Sequence, residues 1–286
     1  MNRRNFLQTV GTAVPAAAAT AWMTRTNSEV QVRKDKDVVE RILDTRKIRY
    51  NYIANGPLLE IEPNTRKLSG VFYDLTQRLG EMANLEIQWN SETTFANYTE
   101  DLHLGKCDVI ACGIWPSANR AKAANFSMPA FYSGVGIYVR RNDHRFDDDV
   151  QKLNDSQFRI TTLDGEMSQS IQESDFPKAS VVGLPNNSDI SMLAENVATG
   201  KADATFMEKA LAFHYMKKNP GSLRNLVEAK PIRVFENTWA FNYGSERLKT
   251  ILDSALKEMI YSGYVDHTLV KYNQQDGFYR VHAPIG

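Results

Sequence analysis

The stretch CDVIACGIWPSANRAKAANFSMPAFY, residues 107–132, decides how this chain is read. Val109, Ile110, Ala111 and Cys112 form an apolar run between Asp108 and Gly113, the pattern of a short strand buried on both faces. Gly113 closes it with a position where backbone can approach another group closely. Pro116 cannot donate to a sheet ladder, so the chain leaves the strand through Ile114-Trp115-Pro116-Ser117. Arg120 then falls on a short helical turn that Ser117 can cap. An arginine just beyond the C-terminal end of a buried strand stands where open α/β sheets bind ligands, and its planar fork suits a carboxylate held by two hydrogen bonds.

The flanking sequence supplies the rest of such a sheet. Residues 47–53 alternate as a strand and break at Asn55-Gly56-Pro57. A helix over 75–82 carries Leu75, Leu79 and Met82 on one face, a strand over 85–89 follows, and a helix over 98–104 leads into the central strand. This βαβαβ order is that of a sheet with helices on its faces. Downstream, strands are expected at 134–141, 158–163, 180–184 and 234–243. Helices are expected at 189–199, stopped by Gly200, at 248–261 and at 264–272. Val38, Val39, Ile42 and Leu43 recur at helical spacing in an otherwise charged stretch.

Composition narrows the class. The 286 residues are 42% hydrophobic, enough for two modest lobes or one large domain. Lys+Arg and Asp+Glu number 34 each, and a net charge of zero argues against nucleic acid or an anionic membrane surface as partner. Cys107 and Cys112 are the only cysteines. On one strand they would lie roughly 15 Å apart, beyond the reach of a disulfide, and are expected as buried thiols. No metal-ligand cluster, phosphate loop or nucleophile elbow is present, so no cofactor is expected. At the N-terminus, Arg3-Arg4-Asn5-Phe6-Leu7 precedes a mild alanine-rich stretch and the small residues Ala19-Thr20-Ala21. This resembles a twin-arginine export signal, whose uncleaved alternative is a membrane tether. No later hydrophobic run approaches the ~18 residues of a membrane span.

Ser117-Ala118-Asn119-Arg120, followed by Phe126-Ser127-Met128-Pro129 and by Phe131 and Tyr132, resembles the Thr/Ser-x-x-Arg and Phe-Ser-x-Pro motifs of the family 3 solute-binding proteins of bacterial importers. Gly70, Phe72 or Tyr73, Asp74 and Leu75 match that family's Gly-Phe-x-x-Asp-Leu, and Ala202-Asp203-Ala204 with Glu208 matches its Val-Asp-Ala-x-x-x-Asp. The resemblance runs from about Lys47 to Tyr272. It implies an α/β, two-lobed, type II periplasmic-binding-protein-like fold, with two lobes joined by two crossing strands. Residues 1–28 would be the signal and leader and 29–46 a charged extension. Lobe 1 would be 47–135 with 241–286, and lobe 2 would be 136–240.

The resemblance also implies site roles. Arg120 would grip a ligand carboxylate, with Ser117 beside it, and Glu208 would accept from a ligand ammonium. The loop Asp164-Gly165-Glu166-Met167-Ser168 would meet the carboxylate through Ser168 and a helix N-terminus. Two departures stand out: Glu166 occupies a position where the family carries a hydroxyl, and Trp115 one where a small hydroxyl residue is common. Gly113, Tyr52, Phe95 and Glu92 complete the candidate ligand-binding set. With one cation and two or three acids, the cleft suits a zwitterion or a cation, such as a neutral or basic amino acid, rather than an acidic one. The expected function is periplasmic capture of such a solute by a monomer and delivery to an ABC transporter permease. The alternative is a periplasmic dehydratase acting on prephenate or arogenate on the same scaffold.

Overall fold

The computed structural model describes residues 37–272 and the backbone of 278–280. The twin-arginine stretch lies outside the described residues. Helix α1 (Val38–Thr45) opens them and buries Val39 and Ile42, the two apolar positions at its core-facing spacing. Then come strand β1 (Lys47–Tyr52), the short pair β2 (Glu60–Ile61) and β3 (Leu68–Ser69), helix α2 (Val71–Ala83) and β4 (Glu86–Glu92). Helix α3 (Tyr98–His103) leads to β5 (Val109–Ile114), which is buried at every position. Strands β6 (Ala124–Phe126) and β7 (Phe131–Arg140) follow.

The next segment holds β8 (Arg159–Leu163), α4 (Met167–Asp175), β9 (Ser180–Leu184), α5 (Met192–Ala198), β10 (Ala204–Glu208), α6 (Lys209–Lys218) and β11 (Leu223–Asn225). The chain returns through β12 (Arg233–Asn242) and ends in α7 (Glu246–Tyr261), α8 (Tyr264–Lys271) and β13 (Phe278–Arg280).

Apart from the separate β2–β3 pair, the strands make one sheet along the path β4-β1-β5-β12-β7-β10-β8-β9, with β6 added on β12 and β11 and β13 on β7. Its two ends are parallel, with β1 between β4 and β5 and with β8 between β10 and β9. The ten-residue strands β7 and β12 join them, antiparallel to each other with Asn237 opposite Phe131 and Arg233 opposite Val135. This is the two-lobed α/β architecture, with two strands crossing between the lobes.

Period-two alternation divides each lobe's core between the two sheet faces. In β5, Val109 and Ala111 enter the cluster of Tyr50, Phe72 and Trp239, while Ile110, Cys112 and Ile114 enter that of Tyr98 and Leu102. In β10, Ala204 and Phe206 face Ile137 and Phe146, and Met207 faces Leu193 and Leu211. Both cysteines are free, buried thiols; Cys107 precedes the strand rather than lying on it. The acidic loop after β7 is tied down by buried Asp143, whose carboxylate accepts from the Arg145 guanidinium at 2.8 Å (Nε) and from Arg140 at 3.3 Å. Among the described residues no helix is long and apolar enough to cross a membrane.

Candidate functional site

The site lies where the ends of β5, β8 and β10 converge. Past β5, Ser117 Oγ accepts from the Arg120 amide at 3.2 Å and so starts the turn that aims the arginine. Arg120 Nη1 donates to the Trp115 carbonyl at 2.8 Å, and Nη2 reaches across to the Gly165 carbonyl at 2.7 Å. Gly165 follows β8, so this one side chain spans the two lobes. The lobes also touch at backbone: a Cβ on Gly165, whose φ is +77°, would stand 2.9 Å from the Ala96 amide nitrogen.

Two carboxylates face the same cavity. Glu166 caps α4, its Oε2 accepting from the Ser168 amide at 2.7 Å. Burial pushes its carboxyl above the usual carboxylate range, against the pull of the Ser168 hydrogen bonds and Arg120. Glu208, the last residue of β10, is pushed up to about 8 by burial and then by the Glu166 charge, with the Ser133 hydroxyl opposing. Glu166 is 5% exposed and Glu208 6%, so neither charge is screened by bulk water. Trp115 adds a fixed flat wall. Its ring stacks on Phe235 at 4.2 Å and 7°, and its Nε1 donates to Asn237 Oδ1 at 3.2 Å. Asn237 in turn donates to Ser133 Oγ at 2.6 Å, so the wall is anchored in both crossing strands.

Of the residues singled out in the sequence, Arg120, Glu208, Trp115, Glu166, Gly113 and Phe95 line this cavity. Four do not. The exposed Ser117 hydroxyl caps the Arg120 turn. The Ser168 hydroxyl is buried beneath the loop, accepting from the Leu163 amide at 3.1 Å. Tyr52 packs edge-on against Trp89, 6.0 Å between ring centroids, in the lobe 1 core. Glu92 is not in the cavity wall because β4, an edge strand, continues through it, and its exposed carboxylate pairs with Arg66 at 3.7 Å. The acids in the cavity are therefore two.

The lining also includes Asn55, Met167 and Ile190 with Leu193, Phe206, Met207 and Leu211, none of them singled out in the sequence. Asn55 had a signal, since it opens the turn after β1. The apolar residues had none, because apolar periodicity reads as core. Among the described residues no group of three or more His, Cys, Asp or Glu is placed to hold a metal ion.

Gly113 supports the site sterically. Its φ is +83°, and a Cβ there would stand 2.7 Å from Asn237 Oδ1 and 2.9 Å from Phe72 Cε2. Gly113→Ala is expected to destabilise the protein by about 2–4 kcal/mol, through left-handed backbone strain plus overpacking. Urea unfolding checks it; a midpoint equal to that of the unsubstituted protein would contradict this account.

A two-lobed α/β fold with a charged cleft between the lobes defines the class of hinged solute-binding proteins. Residues 48–275 match the sequence model of the bacterial extracellular solute-binding proteins, family 3, and the chain belongs to that family. A Campylobacter jejuni protein named "Probable histidine-binding protein" is 23% identical over 207 residues, covering 72% of this chain and 77% of that protein. Among solved structures, an ancestral amino acid-binding protein, a precursor of cyclohexadienyl dehydratase, superposes with a TM-score of 0.73 at 20% identity, over 82% of this chain and 99% of that one. An amino acid ABC transporter substrate-binding protein from Streptococcus pneumoniae, bound to L-arginine, gives 0.71 at 18% identity, over 82% and 97%. At these identities the structural likeness speaks for the fold.

Proposed function

We propose that this chain captures a small zwitterionic or cationic solute, an amino acid or a close chemical relative, by lobe closure and delivers it to an ABC permease. One observation carries this reading: a single guanidinium and two buried carboxylates share one cavity between the lobes. Such a set has no use for a dianion, because burying unbalanced carboxylates is costly. That disfavours prephenate as a substrate and supports binding rather than dehydration. The names of the curated relatives support the same reading.

The lobe boundaries we adopt, 47–135 with 241–286 and 136–240, fall in or beside the two crossing strands, which would act as the hinge. Export by the twin-arginine route to the periplasm, and action as a monomer, complete the proposal. The export route rests on the Arg3-Arg4 motif.

The test is a thermal-shift screen of the twenty amino acids and common aliphatic amines. A true ligand at 100 times its Kd stabilises by about 2.7 kcal/mol, a shift of a few degrees for a chain of this size. Stabilisation only by acidic amino acids or prephenate would overturn the charge argument, and product formation from prephenate or arogenate would make the protein an enzyme.

A further inference from the structure

Two devices in this cleft could grip a ligand carboxylate: the Arg120 fork and the amides at the start of α4. The protein's own oxygens already engage both. Arg120 Nη1 and Nη2 donate to the Trp115 and Gly165 carbonyls. The Ser168 amide donates to Glu166 Oε2 at 2.7 Å. Glu166 thus places a protein carboxylate on the helix N-terminus, beside the carbonyl that Arg120 grips. Glu208 stands buried at the end of β10, the parallel neighbour of β8, with the Ser133 hydroxyl hydrogen-bonded to it.

Formal charge points the same way. With both acids ionised, one guanidinium against two carboxylates leaves the cavity at −1, a state the unliganded cleft avoids by keeping a proton on Glu208. A simple amine brings it to zero. An amino-acid zwitterion leaves it at −1 and sets a third carboxylate beside Glu166, where like charges in a water-poor space repel strongly. Burial first, and then the Glu166 charge, raise the Glu208 carboxyl to about 8, so an ammonium beside it relieves the second of these. The remaining wall is largely apolar: Phe95, Trp115, Met167, Ile190, Phe206 and Leu211. It matches an organic cation with an aliphatic or flat body.

We propose that the cleft selects a primary amine lacking an α-carboxylate, the decarboxylated counterpart of an amino acid, and that Glu166 is the residue that determines this by standing where the ligand carboxylate would otherwise go. The ammonium meets Glu208, the body lies against Trp115, and Glu166 repels any carboxylate. This rests on the solute-binding reading of the same cleft.

Titration calorimetry on the full chain with matched pairs tests it: arginine and agmatine, histidine and histamine, lysine and cadaverine, phenylalanine and phenethylamine. In at least one pair the amine should bind tighter than its amino acid by about tenfold or more, and in none should the order reverse. Glu166→Thr, which keeps a helix-capping group and removes the charge, should weaken that amine and strengthen its amino acid by about tenfold each. Glu166→Gln, the closest match in shape, should shift the ratio in the same direction. An amino acid that binds the unsubstituted protein more tightly than its amine overturns this inference and leaves the solute-binding reading standing. An unchanged ratio in both variants overturns the role of Glu166. Binding of neither set overturns both readings.

Discussion

Replacing Glu208 by glutamine should make the unliganded protein more stable at alkaline pH and, at the same time, nearly unable to bind its solute. In the folded protein the Glu208 carboxyl is raised to about 8, first by burial and then by the Glu166 charge. In the unfolded chain it returns to about 4.3. Between those values the folded state holds a proton that the unfolded state has released, so stability falls as pH rises. The contribution of this group is fully present below about pH 4.3 and is lost as pH rises through about 8, a swing on the order of 4–5 kcal/mol. The neutral amide of Glu208→Gln does not pass through that swing. Urea unfolding at about pH 5 should therefore give similar stabilities for both proteins, and at about pH 9 the variant should be the more stable by several kcal/mol. Binding should move the other way. An ammonium buried without its carboxylate loses about 3–5 kcal/mol, a hundredfold or more in Kd by calorimetry. Parallel stability profiles for the two proteins would mean that Glu208 is ionised and solvated in the folded state.

Arg120→Ala should leave the fold intact and weaken capture by about 2–4 kcal/mol, because the side chain bridges the lobes through two hydrogen bonds from a charged donor. Its removal shifts the open-closed equilibrium, and apparent affinity falls by the fraction of closed protein lost. Arg120→Lys should recover little, since an ammonium lacks the fork that reaches Trp115 and Gly165 together. Small-angle scattering separates this from a purely local effect. The unsubstituted protein should contract on adding solute, and the alanine variant should contract less at the same solute concentration. Unchanged affinity and unchanged contraction together would remove Arg120 from the closure mechanism.

Local chemistry was enough to read much of the chain. An apolar run ended by Pro116 reads as β5, and the Leu248, Leu252, Leu256 spacing reads as α7, because side-chain periodicity and backbone breakers act within a few residues. The Ser117-x-x-Arg120 turn, the Glu166 loop and the Glu208 strand end were legible as site positions through the family resemblance, which matches short motifs by residue type and spacing. Strand β6 and helix α6 gave no clear local pattern. Strand β6 is three residues long and exists by pairing with β12, and α6 has a weakly divided apolar face.

What only the tertiary structure decided is which side chains share the cavity. Glu92 left the set because β4 is an edge strand that keeps its extended run to that residue. Ser168 left it because its hydroxyl turns back to the Leu163 amide. Ile190, Leu193 and Leu211 entered it although they read as core. Arg120 proved to be a bridge to Gly165, 45 residues away in sequence. A cleft between lobes is assembled from strand ends that are distant in the chain, and the direction of each side chain there is set by what packs behind it. Sequence spacing carries the first kind of information only.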